Sequence, residues 1–234
     1  MSRPSLVAVT HGPLHPDGLR VVEAVLHRVR HRLPGVTVRP SFARPGRLGE
    51  GDVLVEDPET VIVVPLLLTG NVLDAAPGAP RRDGPHAVAG SLGPDRLLAQ
   101  VVHHRLRQAG ARPGQPVVVA AAGSNQAASH GETARTAGLL AAAWGGPVRA
   151  AHLTGCGPRM SEVAADYRAR GLAPPAVAPY LLANGHHSRK AREDARALGL
   201  GTVAEPLGDH PLVAEAVVRR YRTAAAHRFA LALR

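Results

Sequence analysis

The chain has 234 residues, 45% of them hydrophobic and 3% aromatic, enough for one large domain or two small ones with cores of Ala, Val and Leu. Its single cysteine, Cys156, excludes an intramolecular disulfide framework and a zinc site built from several thiolates, and no apolar run reaches the roughly 18 residues of a membrane span. The net charge of +10 comes from arginine, with Lys190 the one lysine, and the basic residues are scattered rather than blocked. No nucleic-acid recognition motif or aromatic platform accompanies them, so nucleic acid is not expected as a partner and an anionic small molecule fits the charge at least as well.

The chain opens on Leu6-Val7-Ala8-Val9, too short for a signal-peptide core, and the expected location is the cytoplasm. That run continues into Thr10-His11-Gly12, as a buried parallel strand does before a turn. A helix is predicted over 17–33, where Val21, Val22, Val25, Leu26, Val29 and Leu33 form one apolar stripe ended by Pro34-Gly35. A strand follows at 36–39, another in Val61-Ile62-Val63-Val64-Pro65-Leu66-Leu67-Leu68, and then Ser91-Leu92-Gly93-Pro94-Asp95 leads into a helix.

The same landmarks return in the same order. Val118-Val119-Ala120-Ala121-Ala122-Gly123-Ser124 resembles the opening run. Helices over 132–144 and 159–170 flank a strand near 147–153. Ala176-Val177-Ala178-Pro179-Tyr180-Leu181-Leu182 resembles the proline-bearing strand, and Pro206-Leu207-Gly208-Asp209-His210-Pro211 leads into a last helix over 211–220. Strand and helix alternate throughout, which predicts an α/β protein of two similar lobes, each with a parallel sheet flanked by helices. The lobes are read as 1–112 and 116–234, joined by Ala111-Arg112-Pro113-Gly114-Gln115-Pro116. Because the fold is already doubled within one chain, a monomer or a homodimer serves equally well. Gly12 and Gly123 lack the spacing of a nucleotide-binding loop, so no nucleotide is expected.

Open α/β sheets bind ligands at the carboxyl ends of their strands. Of the 13 histidines, His27, His31, His103 and His104 fall in arginine-rich helices and read as solvated. His11 and the pair His186-His187 instead follow the carboxyl ends of predicted strands, in different lobes. Imidazole is a ligand for cobalt, nickel, iron or zinc and, near neutral pH, a proton acceptor.

These landmarks, Thr10-His11-Gly12, Pro65-Leu66-Leu67-Leu68, Leu92-Gly93-Pro94 and their second-half echoes, resemble the sirohydrochlorin chelatase family over nearly the whole chain. The resemblance implies two flavodoxin-like lobes and an ATP-independent chelatase. Such an enzyme inserts a divalent metal, cobalt or iron and in some cases nickel, into an anionic tetrapyrrole for cobalamin or sirohaem synthesis. The family pattern places one histidine after the first strand of a lobe and another in a Gly-x-His context after a later strand. His11 matches the first position of lobe one, but Val72 stands at its second. In lobe two Ala122 stands at the first position and Gly185-His186-His187 restores the second. The resemblance therefore implies His11 and His187 as metal ligands and catalytic bases, meeting as one composite site, with Asp74 and His186 as auxiliaries and Arg81, Arg82 and Arg189 as rim cations. The alternative is a diverged homologue that binds a metal or tetrapyrrole without catalysis, or that acts on another substrate.

Overall fold

The computed structural model of the chain describes residues 3–11, 15–43, 60–70, 86–125 and 127–232. Among the described residues every strand pairing is parallel. The first sheet contains β1 (Ser5–His11), β2 (Val38–Ala43), β3 (Val61–Pro65) and β4 (His86–Val88), in the order β2-β1-β3-β4. Helix α1 (Pro16–Arg32) connects β1 to β2. Leu6, Ala8, Ile62 and Val64 are fully buried, and neighbouring Val9, Val61 and Val63 nearly so. Unbroken burial along a strand means both faces are covered, which is why these strands read as continuous apolar runs rather than alternating ones.

The second sheet contains β5 (Val117–Ala121), β6 (Val148–His152) and β7 (Ala176–Tyr180), in the order β6-β5-β7. A parallel bridge from Val177 to Val203 occupies the place that β4 takes in the first sheet. Around this sheet lie α2 (Arg96–Gln108), α3 (Ala127–Trp144), α4 (Met160–Ala169) and α5 (His186–Ala197). The core beneath α4 and α5 includes Val118, Ala120, Val163, Tyr167, Val177 and Ala191.

The strand register confirms the repeat and refines it. Pro65 is paired with Val9 and Pro179 with Ala120. Superposing the two prolines sets Leu6 against Val117, one residue earlier than the apolar runs alone suggest. It also sets His11 against Ala122 and Gly12 against Gly123. The loops obey the same correspondence. The amide of Ala89 donates to Val63 O and that of Ala204 to Val177 O, while Leu92 N–H reaches Leu67 O and Leu207 N–H reaches Leu181 O.

The two compact units do not coincide with the sequential halves. One consists of Met1–Leu92 with Val213–Arg234, the other of Gly93–Leu212. Each half gives its last helix to the other's unit: α2 lies in the second unit, and α6 (Pro211–Ala232) lies almost wholly in the first. The apolar stripe of α2, with Leu98, Val101, Val102 and Leu106 buried, packs in the second unit against α3. Matched arginines pin both helices. Arg105 of α2 donates to Leu207 O at 2.9 and 3.3 Å. Arg220 of α6 donates to Ser91 O and Leu92 O at 2.7 and 2.9 Å.

Candidate functional site

His11 is the last residue of β1 in the first unit, paired in register with Ala43 of β2. Its backbone is therefore at the carboxyl edge of the sheet, as the sequence implies. Its side chain lies outside the described residues, and so do Val72, Asp74, Arg81 and Arg82 in their entirety.

The carboxyl edge of the second sheet is described in full. At the end of β5, where His11 stands in the repeat, Ala122 is followed by Gly123 and Ser124, and these are zipped to the end of β6. Thr154 N–H and Oγ1 both donate to Ala122 O, at 2.9 and 2.8 Å, and Cys156 N–H reaches Ser124 O. The backbones touch through glycines. A Cβ on Gly123, whose φ is +99°, would collide with the Thr154 carbonyl. One on Gly155, with φ +67°, would meet Ser124 O at 2.7 Å. Backbone fills this part of the edge where the other half carries an imidazole.

His186 and His187 sit beyond β7. They follow the strand's carboxyl end, as the sequence implies, and are the first two residues of α5. The helix starts there because Ser188 completes its cap: Ser188 Oγ accepts from Gly185 N–H at 2.9 Å and donates to Gly185 O at 3.0 Å. The segment before the helix is held by Asn184, which donates to Glu205 at 3.2 Å, and by Arg192, whose guanidinium reaches Asn184 Oδ1 and both Glu205 oxygens. Burial pushes the Glu205 carboxyl up, but hydrogen bonds from Arg192 and Asn184 outweigh that and leave it below the usual range.

The rings of His186 and His187 lie edge to face with centroids 5.5 Å apart. His186 is exposed and His187 half-buried. Burial, and then the neighbouring His186, hold the His187 imidazole below its ordinary pKa. The helix N-terminus acts in the same direction, because its partial positive charge disfavours a cation. His187 is thus neutral at pH 7 and keeps a lone pair for a metal or a proton. Arg189, the rim cation from this segment, is exposed on α5.

Sequence reasoning missed a second imidazole pair at the same edge. His152 ends β6 and is 4% exposed, with neither ring nitrogen hydrogen-bonded within the protein. Its ring packs against that of His130 on α3, centroids 4.6 Å apart. His130 Nε2 lies 2.8 Å from Ser124 O, which can only accept, so Nε2 carries the proton. Burial, then His130, then Arg159 push the His152 pKa down. No short motif marks this pair in the sequence; by strand register His152 occupies the place of Phe42, which is 42% exposed. Among the described residues, no three His, Cys, Asp or Glu side chains gather closely enough to hold a metal ion.

Comparison with known proteins gives a likeness in sequence and one in fold. Residues 116–224 match the CbiX family model. That segment is similar to the CbiX family. The match spans the capped Gly185-His186-His187 turn and the His130–His152 pair. In fold the chain is similar to SirB from Bacillus subtilis with Fe3+, at a TM-score of 0.76 and 21% identity over 97% of this chain and 98% of that one. SirB from Bacillus subtilis subspecies spizizenii, a sirohydrochlorin chelatase in complex with cobalt, matches at a TM-score of 0.70 and 19% identity over 96% of each chain. DR2241 from Deinococcus radiodurans, a multi-domain protein with structural similarity to chelatases, matches at a TM-score of 0.69 and 21% identity, covering 94% of this chain and 55% of that one. No match was found among curated proteins. The resemblance to the sirohydrochlorin chelatase family and the two-sheet α/β fold it implies both hold. Among the described residues, no helix is long and apolar enough to cross a membrane.

Proposed function

We propose that this chain inserts a divalent metal ion, cobalt or iron with nickel a third candidate, into sirohydrochlorin or a related anionic tetrapyrrole, without ATP, in the cytoplasm. The observation that carries the reading is His187. It is the imidazole in the Gly-x-His context, it lies within the segment that matches the CbiX model, and its surroundings keep it neutral. Insertion needs a ligand that presents the metal and leaves coordination positions open, and an acceptor for the two pyrrole protons that the macrocycle loses. A neutral imidazole at a sheet's carboxyl edge serves either purpose.

His11 is the second such residue, the histidine that the first half retains at the equivalent edge. In this reading both are metal ligands and bases, and His186, next to His187, is an auxiliary. The sequential halves 1–112 and 116–234 are the duplicated units of the reading, and they exchange their last helices. Arg189 contributes positive charge toward the substrate's carboxylates. The exposed thiol of Cys156 fits a reducing compartment.

The test is an absorbance assay with sirohydrochlorin and Co2+, Fe2+ or Ni2+ in the absence of ATP. The reading predicts a protein-dependent conversion of the free macrocycle spectrum to that of the metal complex. Tight binding of macrocycle and metal with no conversion above the uncatalysed rate would contradict catalysis and leave a tetrapyrrole-binding relative. Neither half retains both histidines of the family pattern, and that is the observation favouring this second reading.

A further inference from the structure

We propose that His27 and His31 form a separate binding site for a late divalent metal ion on the solvent face of α1. The two residues are one helical turn apart and exposed, and their Nε2 atoms lie 3.1 Å from each other. Imidazole nitrogens bound to zinc-like ions sit about 2.0–2.1 Å from the metal. At that bond length a 3.1 Å separation subtends roughly 98° at the ion, between the cis-octahedral and tetrahedral angles. The pair is thus already spaced as two cis ligands of one ion.

Tautomer chemistry separates this pair from the others in the molecule. Without metal, one Nε2–H donates to the other Nε2. Binding an ion requires lone pairs on both Nε2 atoms, so one ring must move its proton to Nδ1. Among the described residues neither Nδ1 has a protein partner, and the shift breaks no other hydrogen bond. His104 and His210 also approach to 3.1 Å, but His210 Nδ1 accepts from Leu212 N–H, which keeps the proton on its Nε2. His130 has its Nε2 committed to Ser124 O. The arginines on either side of His31 are engaged elsewhere. Arg30 donates to Val38 O and contacts Glu23, and Arg32 donates to Arg28 O and contacts Glu215. Two protein ligands leave the remaining positions to water, so the site binds and releases its ion readily. Nickel, cobalt, zinc and copper are the ions it would take.

The inference does not depend on the chelatase reading and is tested apart from it. The full-length His11→Ala/His187→Ala variant is titrated with nickel chloride by isothermal calorimetry. One equivalent of nickel should remain bound. Adding His27→Ala or His31→Ala should weaken that equivalent at least tenfold, while adding His103→Ala should leave it unchanged. Alanine on an exposed helix face preserves the helix, and far-UV circular dichroism of each variant confirms it. If the parent variant binds no nickel, or if both alanine variants bind it as tightly as the parent, the site does not exist.

Discussion

The two halves of this molecule share a scaffold and differ in where they keep their chemistry. Both order their strands in the same way, place a proline at the same register position and pin an exchanged helix with a matched arginine. At the carboxyl edge they diverge. In the first half β1 ends in His11, and at the matching place the second has Ala122 in a glycine-tight zipper. At the end of the neighbouring strand the first half exposes Phe42, and the second buries His152. Beyond the proline-bearing strand the first half has Val72, and the second opens a helix on His186-His187. A duplicated fold constrains what lies inside the sheets. It leaves the strand ends free to be rewritten separately, because side chains there carry little of the core.

The zipper accounts for part of this asymmetry. With Ala122 O accepting twice from Thr154 and Gly123 in contact with the Thr154 carbonyl, backbone contact fills this edge of the second half. Gly123→Ala attacks that contact directly and has the largest expected effect. The new Cβ meets a carbonyl while the backbone stays at positive φ, so a loss of about 3 kcal/mol or more is predicted from urea midpoints at unchanged slope. Near-wild-type stability would mean that the edge is loose and has room for a side chain.

The exchanged helices give a symmetric test. Arg105→Ala and Arg220→Ala each remove charge-assisted hydrogen bonds to backbone carbonyls, and each should cost about 2 kcal/mol. Thermal unfolding of the two variants should therefore show similar shifts. A large effect in one with none in the other would show that the exchange supports only one unit. A smaller change is expected for Tyr167→Phe. Its buried hydroxyl donates to Val117 O at 3.1 Å, and burial raises its pKa to about 12. Loss of this single neutral bond should cost about 1 kcal/mol by chemical denaturation.

His152 gives the most delicate comparison, because its counterpart, Phe42, cannot titrate. Its folded pKa lies below the unfolded value of 6.5, so between those two values the unfolded chain binds more protons than the folded one. Its contribution is accordingly undiminished above pH 6.5 and is lost as pH falls from there toward the folded pKa. His152→Phe, which copies the first half's residue, should flatten that part of the stability–pH curve whatever it does to stability at pH 8. An unchanged slope below pH 6.5 would assign the titration to other histidines.

Much of the fold was legible because burial on both faces of a parallel strand leaves an apolar run in the sequence, and Pro65 and Pro179 mark the same register twice. The valine and leucine stripe of α1 likewise announced both its face and its end. The helix exchange was not legible. The stripe of Leu98, Val101, Val102 and Leu106 says which face of α2 is buried but not which sheet covers it. At the site, Gly185-His186-His187 is legible as a motif, but its place at a helix start is not, since the cap depends on Ser188 folding back onto Gly185. His130 and His152 are far apart in sequence and belong to no short motif, so only strand register and helix placement bring their rings together.

The central claim is that each half supplies one histidine, His11 and His187, to the same metal-insertion event. The most direct test is a double-mutant cycle on the rate of cobalt insertion into sirohydrochlorin, with His11→Ala, His187→Ala and the pair. Loss of an outer-shell partner of a metal ligand costs about 10–100-fold, so each loss of a ligand should cost at least that much. Because both residues would act in one step, the double variant should be scarcely slower than either single one. Insertion at near-wild-type rate by the double variant, with its circular dichroism intact, would contradict the account.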